Sequence, residues 1–149
     1  MHQVELRPPV VDDIPHFFAQ QTDPVSRELA AYALREWDRF DANWRDSIVN
    51  PDIVARTIVV DDAIAGHLIS WPDADQQLFG YWLERSLWGR GIMTTAVSAF
   101  LPLVEARPLV ATVATHNAAS TKLLLRAGFV ETQRVIADDG IPEIHFRLD

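Results

Sequence analysis

Trp88-Gly89-Arg90-Gly91-Ile92-Met93-Thr94 decides the fold, because it joins two segments of different periodicity. The segment before it, Gln77–Leu83, has the length and composition of a short strand. After it, apolar residues recur every three or four positions from Ile92 to Leu103, which predicts a helix that Pro102 kinks or ends. The stretch is therefore a strand-to-helix turn, in which two glycines permit positive φ angles and a close approach to the backbone.

The beginning of the predicted helix is a candidate anion site. The first backbone N–H groups of a helix lack intrahelical partners, and the helix dipole adds partial positive charge there. Arg90 and Thr94 can add side-chain donors. A plain turn, in which the glycines serve geometry alone, explains the same residues equally well. The dinucleotide pattern Gly-x-Gly-x-x-Gly fails because position 94 is threonine, and the Walker sequence Gly-Lys-Ser/Thr is absent.

The chain before this stretch is predicted to be mainly helical at first and then β-rich. Its elements in order are a strand at His2–Arg7, a helix at Asp12–Gln21, a helix at Ser26–Phe40, a short helix around Trp44 that ends at Asn50-Pro51, and strands at Ala55–Val60 and Ile64–Trp71. Asp61-Asp62 suits a hairpin turn between the last two strands. Together with Gln77–Leu83, these strands predict a three-stranded antiparallel meander.

The chain after the central helix returns to β structure. Leu109–Thr115 is apolar and β-rich, and Asn117 and Gly128 suit the two ends of a further helix. Two last strands are predicted at Phe129–Ala137 and Glu143–Leu148. The alternation of strands and helices requires a right-handed crossover between parallel neighbours. The sequence thus predicts an α/β (α+β) fold with a mixed central sheet of about six to seven strands and helices on both faces.

Length and composition limit the classes of protein to consider. A chain of 149 residues, 48% hydrophobic and 23% charged, fits a single domain spanning residues 1–149. No apolar run approaches the length of about 20 residues that spans a bilayer, and a formal charge of −8 disfavours nucleic acid and anionic membranes. We therefore expect a cytoplasmic protein, monomeric or homodimeric, whose charge favours cationic substrates. With no cysteine and five scattered histidines, the sequence predicts no metal site.

Four short motifs together resemble the GNAT (Gcn5-related N-acetyltransferase) superfamily, and most closely its branch of ribosomal-protein N-terminal acetyltransferases. They are Tyr81-Trp82-Leu83, the stretch from Trp88 to Ala96, Asn117-Ala118-Ala119-Ser120 and Arg126-Ala127-Gly128-Phe129. The resemblance implies an N-acetyltransferase that passes an acetyl group from acetyl-CoA, its cosubstrate, to a primary amine. The amine could belong to a protein N-terminus or to a small molecule. A catalytically weak CoA-binding or sensing domain of the same fold is the alternative.

The resemblance also implies where the cofactor binds. In that family the strand that holds Tyr81-Trp82-Leu83 splays away from its parallel neighbour, and pantetheine lies in the gap. Pantetheine is expected to pair with the backbone around Leu83 and Glu84. The turn that binds the pyrophosphate is expected to comprise Gly89, Arg90, Gly91, Ile92, Met93 and Thr94. Asn117 and Ser120 are expected near the pantetheine or the thioester sulfur, and Asn117 equally suits a helix cap.

The catalytic residues expected from the resemblance are Ser120, Asn117 and Tyr81. Many family members use a tyrosine as the acid for the leaving thiolate, but that position is Leu124 here, so Ser120 is the predicted substitute. The third meander strand holds no carboxylate that could act as a general base. Tyr81, His67 or a chain of water molecules are the candidate bases, and His67 equally suits a packed strand residue.

Aromatic residues near the N-terminal helices are the candidate contacts for the amine. Tyr32, Trp37 and Trp71 are predicted to bind the substrate, which would enter beside these helices. Core packing is the simpler explanation for most of the aromatic residues in this part of the chain.

Overall fold

A computed structural model describes residues 3–149, which form seven strands and five α-helices. The strands are β1 (Val4–Arg7), β2 (Val54–Val60), β3 (Ala63–Asp73), β4 (Gln76–Leu83), β5 (Leu109–Ala114), β6 (Val130–Ile136) and β7 (Pro142–Leu148), and the helices are α1 (Ile14–Gln21), α2 (Pro24–Ala30), α3 (Trp37–Val49), α4 (Ile92–Phe100) and α5 (Ala118–Arg126). The strand predicted at His2–Arg7 is β1, and His2 lies outside the described residues. No helix within residues 3–149 has the length and apolar character needed to cross a membrane.

The single helix predicted at Ser26–Phe40 is wrong, because the segment forms parts of two helices. Asp23 caps α2 by accepting a hydrogen bond from a backbone N–H at 3.1 Å. Ala31 then adopts a left-handed conformation with a φ of 53°, which ends α2 after two turns. α3 begins only at Trp37 and includes the short helix predicted around Trp44.

The central helices end where the sequence predicts. α4 stops at Phe100 and passes into a 3-10 turn, Leu101–Leu103, that contains Pro102. α5 is capped by Asn117, whose side-chain oxygen accepts from the Ser120 N–H at 3.3 Å. Each end therefore has a local cause in the sequence.

The strands form one mixed sheet in the order β1-β2-β3-β4-β5-β7-β6. The strands β1 to β4 are antiparallel, and the β2–β3 hairpin turns at Asp61 and Asp62, which have φ angles of 50° and 70°. Positive φ at both central residues is the requirement of a tight type I′ turn. β5 runs parallel to β4 and antiparallel to β7. The predicted meander and mixed sheet of six to seven strands are confirmed.

The sheet opens between its two parallel strands. β4 and β5 are in register only at Gln77–Leu109 and Leu78–Val110. Beyond these pairs, β4 continues to Leu83 and β5 to Ala114 without pairing to each other. β4 stays paired to β3 up to Leu83, so the gap lies on its β5 side alone.

Helices cover both faces of the sheet. Thr57 donates a hydrogen bond of 2.7 Å to Asp13, which directly precedes α1. The next residue, Ile58, belongs to the larger apolar cluster, which also contains buried residues of α4 and α5. Since successive strand residues point to opposite faces, α1 lies on one side and α4 on the other. A second cluster joins Phe17 of α1 and Trp44 of α3 to the sheet.

Candidate functional site

The turn before α4 is open towards solvent. Gly89 and Gly91 both have a φ of 75°, and a Cβ atom placed on either residue would meet no other atom within 4 Å. Gly91 is the N-cap residue of α4, and no side chain caps the helix there. The first N–H groups of α4 therefore face open space, as an anion site at a helix N-terminus requires.

A cavity of about 480 Å³ adjoins this turn and is bounded by α4 and α5. Eight of the predicted cofactor-binding residues line it: Leu83, Gly89, Gly91, Ile92, Met93, Thr94, Asn117 and Ser120. Glu84 and Arg90, which were also predicted to bind the cofactor, are not among the lining residues. The cavity thus gathers most of the predicted residues from three separate parts of the chain.

The backbone groups of Glu84, where pantetheine was expected to pair, already have partners within the chain. Its N–H donates to the Ala65 carbonyl at 2.8 Å, and its carbonyl accepts from the Leu87 N–H at 3.0 Å. β3 and a following 3-10 turn use these groups, because β4 remains paired to β3 up to its end. The Leu83 carbonyl accepts from the indole N–H of Trp88 at 3.0 Å. A carbonyl oxygen has a second lone pair, so Leu83 can still accept one more hydrogen bond.

Two cations and helix α2 also line this cavity, and none of them was predicted from the sequence to belong to the site. Lys122 and Arg126 are exposed on α5 one turn apart. Their i, i+4 spacing after the Asn117 cap places them on one face of the helix, and this spacing could have indicated them. Leu29 and Ala30 of α2 line the cavity too, but their place in the site depends on tertiary contacts.

A second cavity, of about 640 Å³, meets the first one. Five residues line both: Ala30, Tyr81, Trp82, Asn117 and Ser120. Tyr81 and Trp82 lie on the part of β4 that has separated from β5. The two cavities therefore adjoin at the gap in the sheet.

A hydrogen bond at this junction connects two predicted catalytic residues. The Tyr81 hydroxyl donates to Ser120 Oγ at 3.0 Å, which leaves the Ser120 proton available to another acceptor. Burial raises the pKa of Tyr81 to about 12. Tyr81 is therefore a protonated donor at neutral pH, which disfavours the predicted role of Tyr81 as a base. Position 124 on α5 is a fully buried leucine. The phenol near Ser120 is therefore that of Tyr81 on β4.

Two of the three predicted substrate residues line the larger cavity. Tyr32 and Trp71 line it, and Tyr32 packs against Trp82 with ring centroids 5.3 Å apart. Trp37 does not line this cavity but packs edge-on against Phe18 at 5.2 Å. Trp37 begins α3 at the end of the turn that divides α2 from α3, and this turn places it elsewhere.

Two buried side chains in the cavity wall each have one polar atom without a hydrogen-bond partner among residues 3–149. His67 is 6% exposed and lies against the rings of Phe17 and Trp44, with centroids 4.9 and 4.8 Å away. Its Nδ1 has no hydrogen-bond partner in the described chain, and neither does Oε1 of Gln21. Burial lowers the pKa of His67 to about 3, so the ring is neutral at physiological pH. A group this weakly basic is a poor general base, which disfavours the predicted role of His67 as a base.

The described residues contain no group of three or more histidine, aspartate or glutamate side chains that could hold a metal ion.

Comparison with known proteins agrees with this geometry. The sequence profile of the acetyltransferase (GNAT) domain matches residues 3–130. No curated protein sequence matches the chain significantly.

Several solved structures share the fold. A ribosomal-protein-alanine N-acetyltransferase from Brucella melitensis matches with a TM-score of 0.84 and 17% identity, covering 97% of this chain and 98% of that one. A GNAT-family acetyltransferase from Bacillus anthracis matches with a TM-score of 0.82 and 10% identity, covering 98% and 94%. The aminoglycoside acetyltransferase AAC(6')-Ib, in complex with coenzyme A and kanamycin, matches with a TM-score of 0.79 and 16% identity, covering 98% and 94%.

Proposed function

The chain belongs to the acetyltransferase (GNAT) family, and we propose that it transfers an acetyl group from acetyl-CoA to a primary amine. One observation carries the proposal: a cavity beside the open turn and a second, larger cavity share Tyr81 and Ser120 in their walls, at the gap between β4 and β5. A thioester at this junction would have its carrier on one side and space for an acceptor on the other. The similar aminoglycoside acetyltransferase, which is in complex with coenzyme A, supports acetyl-CoA as the cosubstrate.

The residues of the smaller cavity suit a coenzyme A thioester. The N–H groups at the start of α4 would bind its diphosphate, because nothing occupies the space in front of Gly89 and Gly91. Lys122 and Arg126 would neutralise further phosphate charge on a chain whose net charge is −8. The second lone pair of the Leu83 carbonyl would accept from an amide of the pantetheine arm.

Acetyl-CoA supplies the acetyl group as an activated thioester. The amine nitrogen bonds to the acetyl carbon as the carbon–sulfur bond breaks, and the nitrogen loses one proton while the sulfur gains one. The Ser120 hydroxyl would donate a hydrogen bond to the departing sulfur, with Tyr81 holding Ser120 in that orientation. A thiol with a pKa of about 8.5 leaves readily as the thiolate, so a hydrogen bond suffices and solvent can supply the proton.

The amine must be neutral when it attacks, and the larger cavity can favour that form by itself. An alkylamine in water has a pKa of about 10.4, but burial in apolar surroundings disfavours the ammonium form and lowers that pKa. Water at the cavity mouth would take the proton, because Tyr81 and His67 are unsuited to accept it. Acetyl transfer therefore does not require a carboxylate on β4.

The test is the release of CoA thiol when the protein is mixed with acetyl-CoA and primary amines. Thiol release that depends on both the amine and Ser120 would support the proposal. The alternative, a catalytically weak CoA-binding domain, predicts that acetyl-CoA raises the melting temperature while no amine causes thiol release. An absent melting shift would exclude both functions.

A further inference from the structure

Seven phenylalanine, tyrosine and tryptophan side chains contribute to the wall of the larger cavity. A Cβ atom on Gly80 would lie 3.6 Å from two ring atoms of Trp71, so the Trp71 indole covers the backbone of β4 at this point. Tyr32 packs against Trp82, and Phe40 and Trp44 of α3 also line the space. A volume of about 640 Å³ is typical of small-molecule sites.

Charge is scarce in this wall. Among the described residues that line the cavity, Arg35 and Asp46 are the ones with ionised side chains, and both are exposed. A polycationic acceptor would need several carboxylates, but the negative charge of the chain is not directed into this cavity. The wall instead offers aromatic faces, which suit the apolar body of a monoamine.

Neutral polar side chains complete the wall, among them Gln21, Asn43, Ser47, Thr112 and Ser120. The unpartnered atoms of His67 and Gln21 are themselves inaccessible, so they do not contact a ligand in the cavity. The wall thus combines aromatic faces and neutral hydrogen-bonding groups with little charge, which fits an acceptor that carries a single amine.

We propose that the acceptor is a small primary monoamine with an aromatic or branched apolar body, bound in the cavity walled by Trp71, Trp82 and Tyr32. This inference rests on the acetyl transfer proposed above and names the substrate class of the same site. Apolar burial provides affinity, and the same desolvation favours the neutral amine that reacts. Polyamines, aminoglycosides and extended peptide N-termini are disfavoured because they would leave charges or main-chain polar groups unpaired against aromatic rings.

A panel of amines tests the class. At saturating acetyl-CoA, kcat/KM from thiol release should be at least tenfold higher for 2-phenylethylamine and isoamylamine than for spermidine, kanamycin or an alanine-initiated peptide. An equal or higher value for any member of the second group would overturn the proposed class while acetyl transfer itself stood. If acetyl-CoA raises the melting temperature but none of the amines causes thiol release, both proposals are overturned.

A variant of the wall tests the location. Gly80→Val places a side chain against Trp71, and it should raise KM for 2-phenylethylamine at least tenfold while changing kcat/KM for ethylamine less than about threefold. Gln76→Leu adds apolar bulk at the exposed start of the same strand, outside the cavity, and should leave both amines unaffected.

The melting shift caused by acetyl-CoA reports whether each variant is folded. If Gly80→Val fails to fold, Trp71→Ala replaces it, with the same expected rise in KM for the aromatic amine and the same small effect on ethylamine. An unchanged KM for 2-phenylethylamine in a folded cavity variant would refute the proposed location.

Discussion

Replacing His67 with phenylalanine should change how the stability of this protein depends on pH. Burial lowers the pKa of His67 to about 3 in the folded state, against about 6.5 in an unfolded chain. Between these values the unfolded chain binds a proton that the folded protein does not, so stability falls as the pH is lowered. The loss is about 1.4 kcal/mol per pH unit, or about 2.7 kcal/mol from pH 6.5 to pH 4.5.

Phenylalanine keeps a ring against Phe17 and Trp44 but cannot titrate. The assay is urea unfolding at pH 7.5 and pH 4.5, which gives a free energy of unfolding at each pH. Wild type should lose about 2.7 kcal/mol more than His67→Phe between the two conditions. His16→Gln, a change at an exposed position of α1, should retain the wild-type loss.

The chosen pH window separates His67 from the acidic groups. Burial raises the pKa of the Asp13 carboxyl, but hydrogen bonds from Arg7, Val10 and Thr57 outweigh burial and hold that pKa below its usual 3.8. The stability that Asp13 provides is present above pH 3.8 and is lost as the pH falls through its folded-state pKa. Equal losses for wild type and His67→Phe between pH 7.5 and 4.5 would refute the burial of a neutral His67.

Three further substitutions test the site and its support. Tyr81→Phe removes the donor to Ser120 Oγ and should lower kcat about tenfold without weakening acetyl-CoA binding. An unchanged kcat in steady-state assays would show that the Tyr81 hydroxyl is not needed for acetyl transfer. The double change Lys122→Gln and Arg126→Gln should raise the Kd of acetyl-CoA, measured by calorimetry, at least tenfold at low salt and by a smaller factor in 0.5 M salt. A rise in Kd that does not depend on salt would contradict an electrostatic role for these two side chains. Asp13→Asn removes the charge of a buried carboxylate that pairs with the partly exposed Arg7, and it should cost about 2 kcal/mol in urea unfolding. A cost below about 1 kcal/mol would contradict the structural role of Asp13.

Features with a local cause could be predicted from the sequence. Pro102 ends α4, Asn117 caps α5, and the glycines at 89 and 91 allow the turn before α4 to adopt positive φ. The strands carried the length, composition and turn signals of a meander. These signals depend only on residues that are close in sequence, so tertiary contacts do not change what they predict.

Features that depend on distant contacts could not be predicted in this way. Ala31 breaks the predicted long helix through a left-handed conformation that glycine usually signals, and alanine gives no such signal. The bond between Tyr81 and Ser120 joins residues 39 positions apart. The sequence does not distinguish Trp37 from Trp71 as a substrate contact. The position of α3 decides that, of these two residues, Trp71 lines the cavity and Trp37 does not.

The groups available on β4 show the same limit. The resemblance implied free backbone groups at Glu84, but β3 binds its N–H. Gly66 permits this closeness, because a Cβ atom there would lie 2.0 Å from the Trp82 carbonyl oxygen. A glycine inside a strand can indicate that another part of the backbone lies close to it. The sequence does not show which part of the backbone that is.

The central claim is that the open turn before α4 binds the diphosphate of acetyl-CoA, and its most direct test is the melting shift caused by acetyl-CoA in two glycine variants. At 100 times the Kd, binding should stabilise the wild-type protein by about 2.7 kcal/mol, a shift of roughly 5–10 °C. Gly91→Glu should abolish the shift, because a charged side chain would fill the space in front of the helix. Gly140→Glu imposes the same charge at a φ of 83° in the β6–β7 turn and should keep it. A full shift in folded Gly91→Glu would contradict the claim.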